Sequence, residues 1–329
     1  MKVGVVGLGY WGPNIVRNML DLNQDVTIFD RDEARIRTTR ERFPACNVAS
    51  SLGELLSDPA IAAIAIAVPL PCHCEIVIRV LQSRKHVFVE KPLCASSAEA
   101  DAIQRNLNGS ILMVAHITQF SRGIERLTEL IRANAIGNVR RLSFVRTHFG
   151  PVYRETDVLT EVAAHDVAIL SSLIPDLPAS VNAWGVRRLT AQTPDAAHIV
   201  LQWHTGCVAQ IDVQWSSVLR RREIEIEGTF GTLFFRSDTA PEELTWYDHK
   251  SAYELLGQGG QIAAAKDLIC CHKIDISRTE PLRDELSYFL ECIENHTVPK
   301  TDFAFSRRVV GVLEAARRSM QHDGERVDL

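Results

Sequence analysis

No apolar run in the chain is long enough to cross a bilayer. The longest, Ile61 to Val68, has eight residues, against about 20 for a membrane-spanning helix. Excess basic charge is also missing: 36 Lys and Arg stand against 41 Asp and Glu, a net charge of −5. With no basic patch, nucleic acid and anionic membranes are excluded as partners. There is no internal repeat and no low-complexity linker, which excludes a solenoid or domains on a flexible tether. Cysteine is sparse, at eight residues. The groups Cys72-His73-Cys74 and Cys270-Cys271-His272 lack the paired two-residue spacing of a zinc site, so no metal is expected. Residues 1–6, Met-Lys-Val-Gly-Val-Val, enter a strand at once and leave no room for a secretory leader. The expected address is the cytoplasm, with all eight thiols reduced.

What is present is an ordinary globular balance, 46% hydrophobic and 23% charged, over a length that holds two domains. Up to about residue 119, short apolar strands alternate with helical stretches: Lys2 to Val6, Asp25 to Phe29, Asn47-Val48, Ile61 to Val68, Val87 to Val89 and Ile111 to Ala115. This is the pattern of a doubly wound parallel sheet, an α/β Rossmann domain over 1–119. After it come helices at about 122–133 and 159–173, and between and beyond them strands such as Val139 to Phe149. Glu223-Ile224-Glu225-Ile226-Glu227 alternates strictly, as a half-buried antiparallel strand does. Residues 120–329 are therefore expected to form an α+β domain with a large open, mainly antiparallel sheet. Residues 250–278 show little periodicity and read as a surface excursion; helices at 281–294 and about 306–320 close the chain. Trp203 and Trp215 are expected on the open sheet face, which is more aromatic than a solvated surface needs, as the contact of a homodimer or homotetramer.

Gly7-Leu8-Gly9-Tyr10-Trp11-Gly12 follows the first strand and opens a helix, the context that G-x-G-x-x-G requires. Gly7 makes the turn, Gly9 admits a pyrophosphate and Gly12 lets helix and strand pack closely. The helix amino terminus supplies N–H groups and positive dipole. Asp30 ends the second strand, 18 residues past Gly12; a carboxylate there accepts bonds from the adenosine ribose and repels a 2′-phosphate, which favours NAD over NADP. Arg31 beside it is the opposing feature, a base that can turn towards such a phosphate. Pro69 and His73 follow the fourth strand; His73 opens the next helix as a turn or nicotinamide-side residue, or in a purely structural role.

Lys85-His-Val-Phe-Val-Glu-Lys-Pro-Leu93 sets a buried strand against polar residues at its carboxyl end, Glu90, Lys91 and Pro92. In open α/β sheets, ligands lie at that edge. Lys91-Pro92 is the kind of bond where cis costs little, and we expect it cis. Glu161 and His165 are four apart on one expected helix and share a face. Oxidising an alcohol removes a hydride from carbon and a proton from oxygen, so a titratable group must reach the hydroxyl. Histidine suits that task, and a lysine beside it orients the hydroxyl and steadies negative charge on oxygen.

With GLGYWG at 7–12, VPLPCH at 68–73, KHVFVEKPL at 85–93, ELIRANAIGNV at 129–139 and DVLTEVAAHDVAIL at 157–170, the chain resembles the Gfo/Idh/MocA oxidoreductases over essentially all its length. The resemblance implies that Lys91 and His165 are the catalytic pair and that the second domain carries the sugar. It also implies contacts of Gly7, Gly9, Tyr10, Trp11, Gly12, Asp30, Arg31, Pro69, His73, Glu90 and Lys91 with the cofactor. The stretch 157–170 is most similar to the signature of dehydrogenases that oxidise carbon 3 of UDP-N-acetylglucosamine-type sugars. Arg146-Thr-His148-Phe-Gly resembles their Arg-x-Asn-x-Gly strand, so Glu161, Asp166, Arg146 and His148 are implied substrate contacts. Glu161 stands where that family has Asp, His148 where it has Asn, and Gln119 where Arg is common. A keto-sugar reductase, an inositol dehydrogenase or a non-catalytic sensor of dinucleotide and sugar are the alternatives on the same fold.

Overall fold

Short apolar and β-branched runs build the first sheet. In a computed structural model, which describes residues 1–150, 156–189 and 192–329, the alternation runs as follows. Strand β1 (Lys2–Val6) leads to α1 (Gly12–Asp21), β2 (Asp25–Phe29), α2 (Glu33–Arg42), β3 (Asn47–Val48) and α3 (Leu52–Ser57). Then come β4 (Ile61–Ile66), α4 (His73–Gln82), β5 (His86–Glu90), α5 (Ser97–Gln104) and β6 (Leu112–Ala115). The order across the sheet is β3-β2-β1-β4-β5-β6, with every pair parallel. Both faces are buried, as a parallel sheet requires. Phe88 joins Val3, Val5, Ile15 and Met19 on one side, while its neighbours Val87 and Val89 join Ile64, Ile66 and Val77 on the other. Side chains Asp32, Ser51 and Ser96 cap α2, α3 and α5, the residue types that satisfy the first-turn N–H groups.

The second sheet comes from a different pattern. After α6 (Arg122–Arg132) and the long β7 (Val139–Phe149), a π-turn at Leu159–Ala163 runs into α7 (Ala164–Leu173). Strands β8 (Ser180–Val186), β9 (Ala196–Gln202), β10 (Val208–Gln214), β11 (Ser216–Gly228), β12 (Gly231–Arg236) and β13 (Glu243–Asp248) follow. The excursion expected at 250–278 is ordered as α8 (Lys250–Gly257), α9 (Ile262–Lys266) and edge strand β14 (Cys270–Ile274). These pieces are too short for periodicity to reveal, and β14 is half of a register pairing with β13. The sheet has nine strands and is antiparallel throughout except where β10 lies parallel to β7. One face is buried, through Leu142, Phe144, Ile199, Leu201, Ile211, Ile224 and Ile226. The other is half-exposed and carries cross-strand pairs such as His198–Asp212 at 2.6 Å and Arg141–Glu227.

Trp203 and Trp215 belong to the buried face, contrary to the sequence expectation. Each continues the inward phase of its strand, two residues after Leu201 and Val213, and they are 7% and 1% exposed. Trp184, two residues along β8 from Asn182, is the tryptophan on the open face; it stacks on His198 with centroids 6.0 Å apart.

The chain then returns. Helix α10 (Pro281–Asn295), with residues up to Gly311 in α11 (Phe303–Gln321), is part of the same unit as residues 1–120, and the rest of α11 and β15 (Val327–Asp328) belong to the unit of 121–279. The chain divides between Phe120 and Ser121, next to the boundary expected at 119, and Glu280–Gly311 additionally cluster with the Rossmann unit. Their apolar stripe (Leu282, Leu286, Phe289, Leu290, Ile293) fills the core beside Phe88, and Phe289 meets Phe88 with ring centroids 5.5 Å apart.

Glu285 sits on that stripe, one turn before Phe289, as Glu90 sits two residues beyond Phe88 on β5. It is fully buried, and neither carboxyl oxygen has a hydrogen-bond partner. Burial, then the charge of Glu90, holds its pKa well above the usual carboxylate range, with Lys300 opposing. A raised native pKa means that the native state keeps a proton the unfolded chain releases. Stability must therefore fall as pH rises above the unfolded value of about 4.3 towards the native one, by up to about 1.4 kcal/mol per pH unit. Urea denaturation between about pH 5 and pH 8 should show the wild type losing more stability with pH than Glu285→Gln, which has no proton to lose. Parallel pH profiles would mean that Glu285 is solvated.

Candidate functional site

In the Rossmann unit the glycine turn is held from both ends. Gly7 has φ of +91°, a conformation natural to glycine, and its N–H donates to Phe29 O at 2.9 Å. A β-carbon on Gly12 would stand 2.1 Å from Gly7 O, whereas one on Gly9 would meet only Arg35, at 3.8 Å. The space over Gly9 is where a pyrophosphate must approach, so the residues present fit a dinucleotide. Tyr10 is exposed, and Trp11 packs on the core beneath.

Asp30 ends β2 and locks the turn to it. Its Oδ2 accepts from Leu8 N–H at 2.6 Å and its Oδ1 from Asp32 N–H at 2.9 Å. The N-cap of α2 is Asp32, not Asp30. Two hydrogen bonds leave a carboxylate further lone pairs for a ribose. Gly7, Asp30, Arg31 and Pro69 line one cavity of about 470 Å³, with Arg35, Cys72, Ile76 and Arg79. Arg35 lies 3.8 Å from Asp30 and 3.5 Å from Asp32, so both charge signs meet there.

His73 has the geometry of the structural role, one of the two that its sequence left open. It is 1% exposed, and its Nδ1 and Nε2 each lie 2.9 Å from a carbonyl oxygen, of Pro92 and Val68. With both nitrogens occupied it ties the 68–73 turn to the Lys91-Pro92 turn, and burial lowers its pKa. The Lys91-Pro92 bond is cis, as expected. Glu90 and Lys91 leave the end of β5 beside two residues that sequence reading missed. One is Glu285. The other is His116, fully buried with both ring nitrogens lacking partners and its pKa lowered to about 3 by burial and then by Lys91. A neutral imidazole beside a lysine keeps a second cation from forming there.

In the second unit, Arg146 and Asp166 are taken up by each other. The guanidinium grips the carboxylate from Nε at 2.9 and 3.0 Å and from Nη2 at 2.6 Å, and the side chains are only 12% and 2% exposed. A pair closed in this way ties α7 to β7. His148 lies two residues along β7, its pKa lowered by burial and then by Arg222, Arg146 and Arg220. Glu161 lies in the π-turn and His165 in the α-helix after it, so regular α spacing does not hold across the two; single π-turns are frequent at functional sites.

A parallel sheet in this order, with the glycine turn and an acid closing β2, defines an oxidoreductase-type dinucleotide domain; here it is joined to a large mixed sheet. A family model described as "Oxidoreductase family, NAD-binding Rossmann fold" matches residues 1–116, and "GFO/IDH/MocA C-terminal domain" matches 124–234. The chain belongs to the Gfo/Idh/MocA family and is a dehydrogenase acting on CH–OH groups. It is similar to UDP-N-acetylglucosamine 3-dehydrogenase of Acidithiobacillus ferrooxidans, 25% identical over 98% of this chain and 97% of that protein. Similarity to myo-inositol 2-dehydrogenase of Thermotoga maritima is also 25%, over 71% of this chain and 75% of that one. Levoglucosan dehydrogenase in complex with NADH shares the fold, with a TM-score of 0.86 at 18% identity over 100% of this chain and 98% of its own.

The Arg146–Asp166 pair makes a stability prediction. Asp166→Asn should cost about 3–5 kcal/mol by leaving the guanidinium buried and uncompensated, while Arg146→Met with Asp166→Leu should recover most of the loss. Urea midpoints of the three variants check this; a loss below about 1 kcal/mol would mean the pair is effectively solvated.

Proposed function

We propose that the chain is an NAD-dependent dehydrogenase of a sugar or nucleotide sugar, moving hydride between nicotinamide and a secondary alcohol. The particular reaction is oxidation at carbon 3 of a UDP-N-acetylhexosamine-type substrate. The observation that carries this reading is Glu90-Lys91-Pro92 at the carboxyl end of β5 in a chain similar from end to end to a UDP-N-acetylglucosamine 3-dehydrogenase. In this reading His165 exchanges the proton of the reacting hydroxyl and Lys91 orients that hydroxyl and steadies the alkoxide; a lysine beside cationic nicotinamide can also exchange the two roles. Glu161 orients the imidazole or binds a sugar hydroxyl. Inositol oxidation is the second reading, favoured by the similarity to myo-inositol 2-dehydrogenase.

For the cofactor, Asp30 lines the cavity with a carboxylate 9% exposed, which supports NAD over NADP because a 2′-phosphate would meet like charge. Asp30→Ser should weaken NAD and narrow the gap to NADP, measured by titration calorimetry. Tighter binding of NADP by the wild type would remove this assignment.

Absorbance of reduced nicotinamide over a panel of nucleotide sugars, free sugars and inositols tests the reaction. Lys91→Ala and His165→Ala should hold NAD near wild-type affinity yet lose about 10²–10⁴ in turnover. Near-wild-type turnover in His165→Ala would reduce that residue to packing and leave Lys91 as the base.

A further inference from the structure

Strand β11 begins its alternation with three consecutive arginines. Ile224 and Ile226 face the buried side of the sheet, and the same period of two turns Arg222 to that side; Arg220 is exposed and lies at a register shift in the β11–β7 pairing. Arg221, on the other face, pairs with Glu223 at 2.5 Å. Arg222 stands opposite Arg146 in register across β7, and Arg146 holds Asp166, the neighbour of His165. His148 is two residues along β7 from Arg146, and Arg222, Arg146 and Arg220 oppose its protonation.

The acids facing this cluster have other partners. Asp166 is gripped by Arg146, Asp238 lies 3.4 Å from Arg236, and Glu242 accepts from the Ser121 hydroxyl at 3.5 Å. Among the described residues, no carboxylate lies within ion-pairing distance of Arg220 or Arg222. The Nε of Arg222 is shielded from solvent with no hydrogen-bond partner, and His148 Nδ1 is in the same condition. Holding a guanidinium half-buried without an acceptor is costly. The cost is offset when a ligand brings the acceptor, and the fork of an arginine matches the oxygens of a phosphate.

We propose that Arg220 and Arg222, with His148, form the subsite for the phosphate or diphosphate of a phosphorylated sugar substrate. This deepens the nucleotide-sugar reading and rests on it for the nature of the sugar only. A neutral polyol such as inositol offers nothing to these groups. Arg146, already closed on Asp166, supports the subsite and is not its ligand.

The test uses the full chain saturated with NADH, so that the pyrophosphate position at the glycine turn is filled. UDP and inorganic pyrophosphate are titrated by calorimetry. Both should bind the wild type, and Arg222→Gln and Arg220→Gln should each weaken UDP by about tenfold to a hundredfold with NADH affinity unchanged. Arg222→Lys, which keeps the charge and loses the fork, should fall between and guards against a folding defect in Arg222→Gln. Absence of UDP binding in the wild type, or binding unchanged in folded Arg222→Gln and Arg220→Gln, overturns the subsite. Turnover of a neutral polyol without anion binding removes the subsite and keeps the dehydrogenase. Arginine-dependent UDP binding with no sugar turned over keeps the subsite and removes the sugar reading.

Discussion

The carbonyl oxygen of Gly7 occupies the place where a side chain on residue 12 would begin. Everything in the Rossmann half depends on that approach. It brings the amino terminus of α1 over the end of β1, with its N–H groups and dipole aimed at one point. Asp30 then fastens the turn to β2 through Leu8 N–H. The carboxylate that suits a ribose is thus also a strut, and its side chain is nearly buried for that reason. The cavity from Gly7 to Arg79 follows from these two constraints.

Within each unit, polar groups are buried to a degree that packing alone would not select. Glu285 lies in an apolar stripe, His116 is sealed against Phe305 with ring centroids 5.5 Å apart, and Arg146 is closed on Asp166. Each weakens the core or at best leaves its stability unchanged compared with an apolar residue of similar volume. They lie near strand or helix ends that carry Lys91 or His165, where polar chemistry is needed and a local rule of folding is broken for it. Arg222 differs in that its donors are held ready without an acceptor from the described residues.

The same sheet shows how one residue of phase decides a role. Trp203 and Trp215 looked like an exposed contact surface because tryptophans at strand ends attract that reading. Their phase with Leu201 and Val213 was legible and places them inside. Arg222 was likewise legible by running the alternation of 223–227 backwards, and Glu285 by noticing an acid three residues after Leu282 in the stripe. The excursion at 250–278 was not legible, since five-residue elements such as α9 and β14 carry too little period to read.

Sequence alone was enough for the parallel sheet, the glycine turn, Asp30, the strand-end Lys91 and the helix bearing His165. Each of these is a local pattern, in which hydrophobic period, turn chemistry and spacing act within about one strand or helix. Tertiary structure alone decided that α10 returns to the first sheet, that Asp166 is gripped by Arg146, that His73 is a strut and that Arg222 stands opposite Arg146. Those outcomes depend on register between strands and on helices distant in the chain. Local pattern says which face a side chain takes; only the folded chain says which charges and carbonyls wait there.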